Sequence, residues 1–322
     1  MPVLLVAAAS FVVSCLGTRA LIGLLRQRVL DLPNERSSHV VPTPRGGGIA
    51  VIAAIAVAWI AFAVAGIAPP PVAAVAVAGA GLAAISWLDD LRGLSQGIRL
   101  LAQFAAVVAG LWVLPTGLVF QGWLPPGLDA VAAALLWVWF VNLFNFMDGI
   151  DGIAASEAAA IAIGVVLLAA GNAGLTGPAA AVAAAALGFL VWNWMPARIF
   201  LGDVGSVPLG YVLGYLLYRL ALAGKWEAAL ILPLYFLADA TITLLHRLVR
   251  GARVWQAHRE HFYQRAVQRG LSHAAVVIRV VAADIVLLGC AFAAVQGWGF
   301  GALAAAAATV AALLVVLRRG AG

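Results

Sequence analysis

Residues 130–152 read AVAAALLWVWFVNLFNFMDGIDG. The first part, 130–147, carries no charge and is about as long as a helix needs to be to cross some 30 Å of hydrocarbon at roughly 1.5 Å per residue. The second part turns abruptly polar, with Asp148-Gly149 and Asp151-Gly152 three residues apart. A membrane span that ends in paired acids and glycines sets the reading of the whole chain, which repeats the pattern of long apolar runs closed by Pro, Gly or charge.

Such runs lie near 3–25, 46–67, 72–90, 99–115, 130–147, 153–171, 177–195, 206–223, 228–249, 275–296 and 299–317. Hydrophobic residues make up 65% of the 322-residue chain and charged residues only 10%, far from the balance of a soluble domain. The mean hydropathy is +1.05. The expected fold is therefore an all-α polytopic membrane protein of about eleven transmembrane helices, with a range of ten to twelve, built as one integral membrane domain over residues 1–322. No charged segment precedes the first apolar run, so that run reads as a retained span rather than a cleaved signal.

Basic residues orient the spans, because Lys and Arg collect in cytoplasmic loops. With the N-terminus outside, Arg26, Arg28, Arg36, Arg45, Arg92, Arg99, Arg198, Arg247, the arginines of the 250–274 loop and the tail pair Arg318 and Arg319 all fall inside. Only Arg219 and Lys225 fall outside. The formal charge of +6 is thus mainly topology, with a minority left for anionic ligands, and it does not call for nucleic acid. Cys15 and Cys290 both sit in apolar stretches and form no metal or disulfide pattern.

Ionisable groups in a membrane protein are costly, so their positions carry information. Asp89 and Asp90 close the third span, Asp148 and Asp151 close the fifth, and Asp203 lies in Gly202-Asp203-Val204-Gly205-Ser206 before the eighth. All reach one membrane level on the inner side. Adjacent carboxylates invite a cation or a raised pKa. Asn142, Asn145 and Asp148 are spaced to share a side of their helix end, and amide and carboxylate oxygens are hard ligands suited to magnesium. The glycine loop around Asp203 offers backbone N–H groups to phosphate oxygens. Each motif alone also reads as an interfacial turn. Asp239, within the ninth span, fits an arginine partner or a neighbouring helix equally well. His258 and His261 would face together on a helix, whereas two histidines without cysteine make a poor zinc site. Pro42-Thr43-Pro44-Arg45-Gly46-Gly47-Gly48 gives a stiff turn and a close backbone approach, to a ligand or to a neighbouring span.

Taken in order along residues 31–275, these motifs resemble the polyprenyl-phosphate N-acetylhexosamine-1-phosphate transferase family. The segment His258-Arg259-Glu260-His261 looks closest to the initiators of O-antigen synthesis and lacks the denser histidine cluster of the muramyl-pentapeptide branch. The resemblance implies a transferase of the cytoplasmic membrane, with its active site facing the cytoplasm. It would move N-acetylhexosamine 1-phosphate from a UDP-sugar (UDP-GlcNAc, or a UDP-FucNAc-like donor) to undecaprenyl phosphate, releasing UMP in the first step of lipopolysaccharide or related envelope-glycan synthesis. It further implies Mg2+, replaceable by Mn2+, and is compatible with a homodimer.

Residue by residue, the resemblance implies catalytic roles for Asp89, Asp90 and Asp148, and metal ligation by Asp203 and Asn145. Substrate contacts fall to Asp151 (uracil), to His258, Arg259 and His261 (sugar or diphosphate), and to Arg99 and Arg45. Two alternatives stand beside this reading. One is phospho-MurNAc-pentapeptide transfer, and the other, of a different class, is an ion-coupled transporter. Transporter sites sit near the midplane, a position that only Asp239 suits.

Overall fold

In a computed structural model the chain is described at residues 2–26, 29–31, 33, 41–115, 117–253, 256 and 258–320. Arg28 and Arg36, counted above among the inner arginines, lie outside the described residues. The protein is an all-α membrane protein. Its helices are α1 (Pro2–Leu25), α2 (Gly48–Val64), α3 (Pro71–Arg92), α4 (Gln96–Val113), α5 (Pro126–Phe146), α6 (Ile153–Leu168), α7 (Ala173–Asn193), α8 (Asp203–Leu222), α9 (Trp226–Ile231), α10 (Leu234–Val249), α11 (Phe262–Gln268), α12 (His273–Ala293) and α13 (Gly299–Arg319). Among the described residues, six helical stretches are long and apolar enough to cross a membrane, and α2 and α6 are shorter apolar helices.

Three of the expected spans take a different form. The ninth, read as continuous over 228–249, divides into α9 and α10 at Leu232 and Pro233; a proline supplies no N–H to continue a helix. The last two, α12 and α13, run on through a short π-helical segment, Ala294–Trp298, that kinks at Gly297 (φ 98°).

Small residues let the helices approach, which in lipid does the work that apolar burial does in water. Gly210 and Gly214 of α8 leave room for α5: a Cβ at Gly214 would stand 2.4 Å from the Trp137 ring. Trp137 stacks on Tyr211 at 5.1 Å and donates from Nε1 to the Tyr211 carbonyl at 3.0 Å. Trp59 of α2 donates to the carbonyl of Pro178 inside α7 at 3.0 Å.

The glycine run 46–48 resolves in favour of a neighbouring segment. Gly46 and Gly47 both donate to the Phe200 carbonyl, at 3.1 and 2.9 Å, and Gly48 donates to Leu201 at 2.9 Å. A Cβ on Gly48 would lie 2.1 Å from the Gly205 Cα, so backbone meets backbone there. Thr43–Pro44 (β2) pairs antiparallel with Leu30–Asp31 (β1), and Arg45 bridges to Phe200. These contacts carry Arg45 onto the start of α8.

Deeper in the bundle, Glu157 of α6 meets Asp284 of α12, carboxyl against carboxyl. Among the described residues no other side chain or backbone group donates to either.

Candidate active site

Three helix ends bring the acids together. Gly93 takes a left-handed conformation (φ 69°) and closes α3 just after Asp89 and Asp90, its N–H returning to the Asp89 carbonyl. Ser95 then caps α4, accepting from Ile98 N. This short reversal places Arg99 of α4 over the acids of α3. Asp203 is the first residue of α8, where a negative side chain complements the helix dipole. Asn145 lies in the last turn of α5.

Two arginines tie these carboxylates to one another. Arg45 Nη2 lies 2.9 Å from Asp90 Oδ1 and 2.5 Å from Asp203 Oδ1. Arg99 Nη1 lies 3.1 Å from Asp89 Oδ2 and 3.9 Å from Asp203 Oδ2. Backbone donors complete the set: Leu94 N to Asp89 Oδ1 at 2.6 Å, and Val204 N to Asp90 Oδ2 at 3.2 Å. Asn145 Oδ1 accepts from Ser206 Oγ at 2.6 Å, which joins α5 to the glycine loop.

A cavity of about 820 Å³ opens beside them. Asp89, Arg99, Asn145, Asp203, His258 and His261 line its polar part, and Leu82, Ile85, Leu100 and Val207 line its apolar part. Gln103 and Asn142 line it as well, Asn142 Nδ2 donating to Gln103 Oε1 at 2.6 Å. Asp148 lies close enough to feel Arg45, Asp203, Asp90 and Asp151, and burial pushes its carboxyl up to about 7 despite the opposing charge of Arg45.

Asp151 turns elsewhere. Its Oδ2 accepts from Ala197 N at 3.0 Å, and His273 Nδ1 lies 3.3 Å from its Oδ1. Arg259 is exposed, and its carbonyl accepts from Gln268. His258 and His261 do come together, their rings stacked at 4.9 Å, although α11 begins only after His261. Burial, with the nearby His261 and Arg247, lowers His258 to about 4.

Of the two partners expected for Asp239, an arginine or a neighbouring helix, the structure gives the second, the start of α11; the role of Glu260 was not foreseen. Asp239 is fully buried and pairs with no arginine in the described contacts; it accepts from Phe262 N (3.0 Å), Tyr263 N (3.2 Å), Tyr235 Oη and Thr243 Oγ1 (both 3.3 Å), and stands 3.2 Å from His261 Nδ1. Glu260 gathers Arg247, Arg250 (2.5 Å) and Arg265 (3.2 Å). Partial burial raises Glu260, but the hydrogen bonds and charges of Arg250 and Arg247 outweigh it and hold the carboxyl below its usual range. The buried amide Gln103 was likewise overlooked, although it falls one helical turn after Arg99.

Acids, amides and arginines of a helical membrane domain thus gather beside one cavity, an arrangement suited to a charged ligand. Residues 72–221 match glycosyl transferase family 4. Among curated relatives, the chain is 30% identical to decaprenyl-phosphate N-acetylglucosaminephosphotransferase of Mycolicibacterium smegmatis, over 92% of this chain and 84% of that one. It is 28% identical to the probable undecaprenyl-phosphate N-acetylglucosaminyl 1-phosphate transferase of Bacillus subtilis, over 76% of this chain and 71% of the relative. It is also 30% identical to phospho-N-acetylmuramoyl-pentapeptide-transferase of Mycobacterium leprae, over 86% and 92%. The chain belongs to glycosyl transferase family 4, and the resemblance drawn from its ordered motifs is borne out.

Proposed function

We propose that this protein transfers N-acetylglucosamine 1-phosphate from UDP-GlcNAc to undecaprenyl phosphate and releases UMP. The observation that carries this reading is the convergence of Asp89, Asp90, Asp203 and Asn145, from three separate helix ends, with Arg45 and Arg99 beside a cavity that Leu82, Ile85, Leu100 and Val207 also line. Charged and aliphatic side chains in one cavity suit a substrate that joins phosphate to hydrocarbon. The names of the Bacillus and Mycolicibacterium relatives favour GlcNAc as the sugar. The remaining assignments belong to the same proposal: one domain over 1–322, eleven spans with the N-terminus outside, and a site facing the cytoplasm at the inner membrane.

In the reaction, an oxygen of the lipid phosphate forms a bond to the β-phosphorus of UDP-GlcNAc. The bond from that phosphorus to the bridging oxygen breaks, and UMP leaves with the electron pair. A phosphate monoester has its second pKa at about 6, so the nucleophile is anionic near pH 7 without a strong base. The difficulty is bringing it onto a diphosphate, and electrostatic screening and in-line positioning are what a protein can supply. Arg45 and Arg99 are placed to exchange carboxylate partners for phosphate oxygens. His258, largely neutral near pH 7, offers hydrogen bonds without added charge to the sugar or diphosphate, and Asp148 accepts any residual proton.

Among the described residues no three His, Cys, Asp or Glu side chains close around one point. Magnesium does not require that, since it usually takes one or two protein carboxylates and fills its octahedron with phosphate and water. Asp203 and Asp90, held on a single guanidinium nitrogen, with Asn145 nearby, fit that demand. When bound there, the ion would screen the phosphates and stabilise the departing UMP oxygen.

The test is purified protein with undecaprenyl phosphate and a panel of UDP-sugars, following UMP release and weighing the lipid product by mass spectrometry. A product of undecaprenyl diphosphate plus one N-acetylhexosamine is expected. A second reading, transfer of phospho-MurNAc-pentapeptide, has support from the Mycobacterium leprae relative. Turnover of the peptide nucleotide in preference to UDP-GlcNAc would replace the first reading with the second. Substrate uptake into vesicles without UMP release would replace both with a transporter.

A further inference from the structure

Between the acids and the histidines lies a side chain that neither the motifs nor the reaction uses. Tyr263 is fully buried at the start of α11. Its phenol donates to the Phe146 carbonyl at 3.1 Å, one of the carbonyls left open where α5 ends. The Gly149 backbone lies against the same oxygen. A single phenol thus touches both ends of the turn 146–149, by a hydrogen bond at one and by close packing at the other. Asp148 lies between those two anchor points.

Gly149 fits this arrangement because it has no side chain. A Cβ there would stand 2.2 Å from the Tyr263 Oη, 3.0 Å from Gln264 Nε2 and 3.1 Å from the Tyr263 Cζ. The tyrosine is fixed in turn from behind. Its own N–H donates to Asp239 Oδ2 at 3.2 Å, and Asp239 also holds Phe262 N and faces the His261 ring. A continuous path of hydrogen bonds therefore runs from α10 through the first turn of α11 to the Asp148 turn.

We propose that Tyr263 is a positioning residue: its phenol sets the Asp148 turn and locks it to the segment that carries His258 and His261. The inference rests on the reading of Asp148 as part of the reaction centre. It gives Asp148 and the two histidines a fixed spacing, so that the groups assigned to the donor and to the lipid phosphate move as one. Misplacing a reacting group by about 1 Å costs on the order of 100-fold in rate.

Tyr263→Phe keeps the ring and removes only the hydroxyl. The expected result, in UMP release from UDP-GlcNAc with undecaprenyl phosphate, is a kcat lowered roughly 10- to 100-fold, with both KM values within about twofold of the parent. Gly149→Ala is expected to lower kcat further, and to cost less in the Tyr263→Phe background, where the atom its Cβ would strike first is gone. That non-additivity separates positioning from general destabilisation, since independent defects multiply. Parent-level kcat in Tyr263→Phe, alongside an inactive Asp148→Asn, overturns the proposal and leaves the proposed function intact. So does a raised donor KM at unchanged kcat, or a fully multiplicative double variant. Parent-level turnover in Asp148→Asn removes the reading beneath the proposal, and the proposal with it.

Discussion

Arg45 Nη2 stands 2.5 Å from Asp203 Oδ1, joining residues 158 apart in the chain. The same nitrogen reaches Asp90. One guanidinium thus occupies the space between two carboxylates from different helices, where a divalent ion would also be drawn. Arginine and ion compete for the same oxygens. Arg45→Gln should therefore bind Mn2+ more tightly than the parent, by a fewfold in titrations followed by electron paramagnetic resonance, while its turnover falls. Unchanged or weaker Mn2+ binding would show that Arg45 does not guard that position.

Asp203→Asn and Asp90→Asn each keep the shape of the side chain and remove its charge. Each is expected to lower UMP release by about 100-fold or more, in line with the loss of a charge-stabilising group at a reaction centre. Both should still insert and elute as the parent does in detergent. Wild-type turnover in either variant strikes that residue from the site.

The raised pKa of Asp148, about 7, predicts a pH dependence. A proton acceptor works as the carboxylate, so kcat/KM should rise with pH and level off above 7. Its midpoint should move lower as magnesium is added, because a bound cation favours the charged form. For stability the sign is opposite. A carboxyl raised on folding contributes most below its unfolded pKa, near 3.9, and that contribution fades as pH climbs through 7. Melting temperature against pH for the parent and Asp148→Asn measures it: the decline between pH 5 and 8 should be shallower in the variant.

Glu260 has the reverse linkage. Its pKa is lowered by Arg250 and Arg247, so its contribution is present above the ordinary carboxylate range and is lost as pH falls through the depressed value. Glu260→Gln frees three arginines that it now gathers. A severalfold rise in the KM for UDP-GlcNAc, with kcat changed less, is the expected signature in steady-state kinetics.

The contact between Glu157 and Asp284 lies away from the reaction. Glu157→Gln would supply an N–H to the facing carboxylate where none is now offered, and buried polar groups are costly when unpaired. Melting in detergent should rise by a few degrees with activity retained. A lower melting temperature would mean that the carboxyl pair is itself a stabilising link between α6 and α12.

Much of this was legible in the one-dimensional chain. Apolar runs longer than any soluble helix needs identified the class, and the ranges read for most spans fall on helices. The split of α9 from α10 required weighing Pro233 above the hydrophobicity around it. The acids stood out because charge is scarce, and the glycine loops because they adjoin the acids. The glycine run at 46–48, by contrast, looked the same for a ligand as for a backbone neighbour. Only the approach to Gly205 distinguished them.

What the amino-acid order determined by itself is the solvent and the inventory: a chain so apolar must live in lipid, and its few acids must sit where charge is tolerated. Which acid meets which arginine was decided by the tertiary structure. Arg45 and Asp203, or Tyr263 and Gly149, are neighbours only because helices pack through small residues and end at one level. Local propensity acts over a few residues, whereas those distances depend on how whole helices lie against each other.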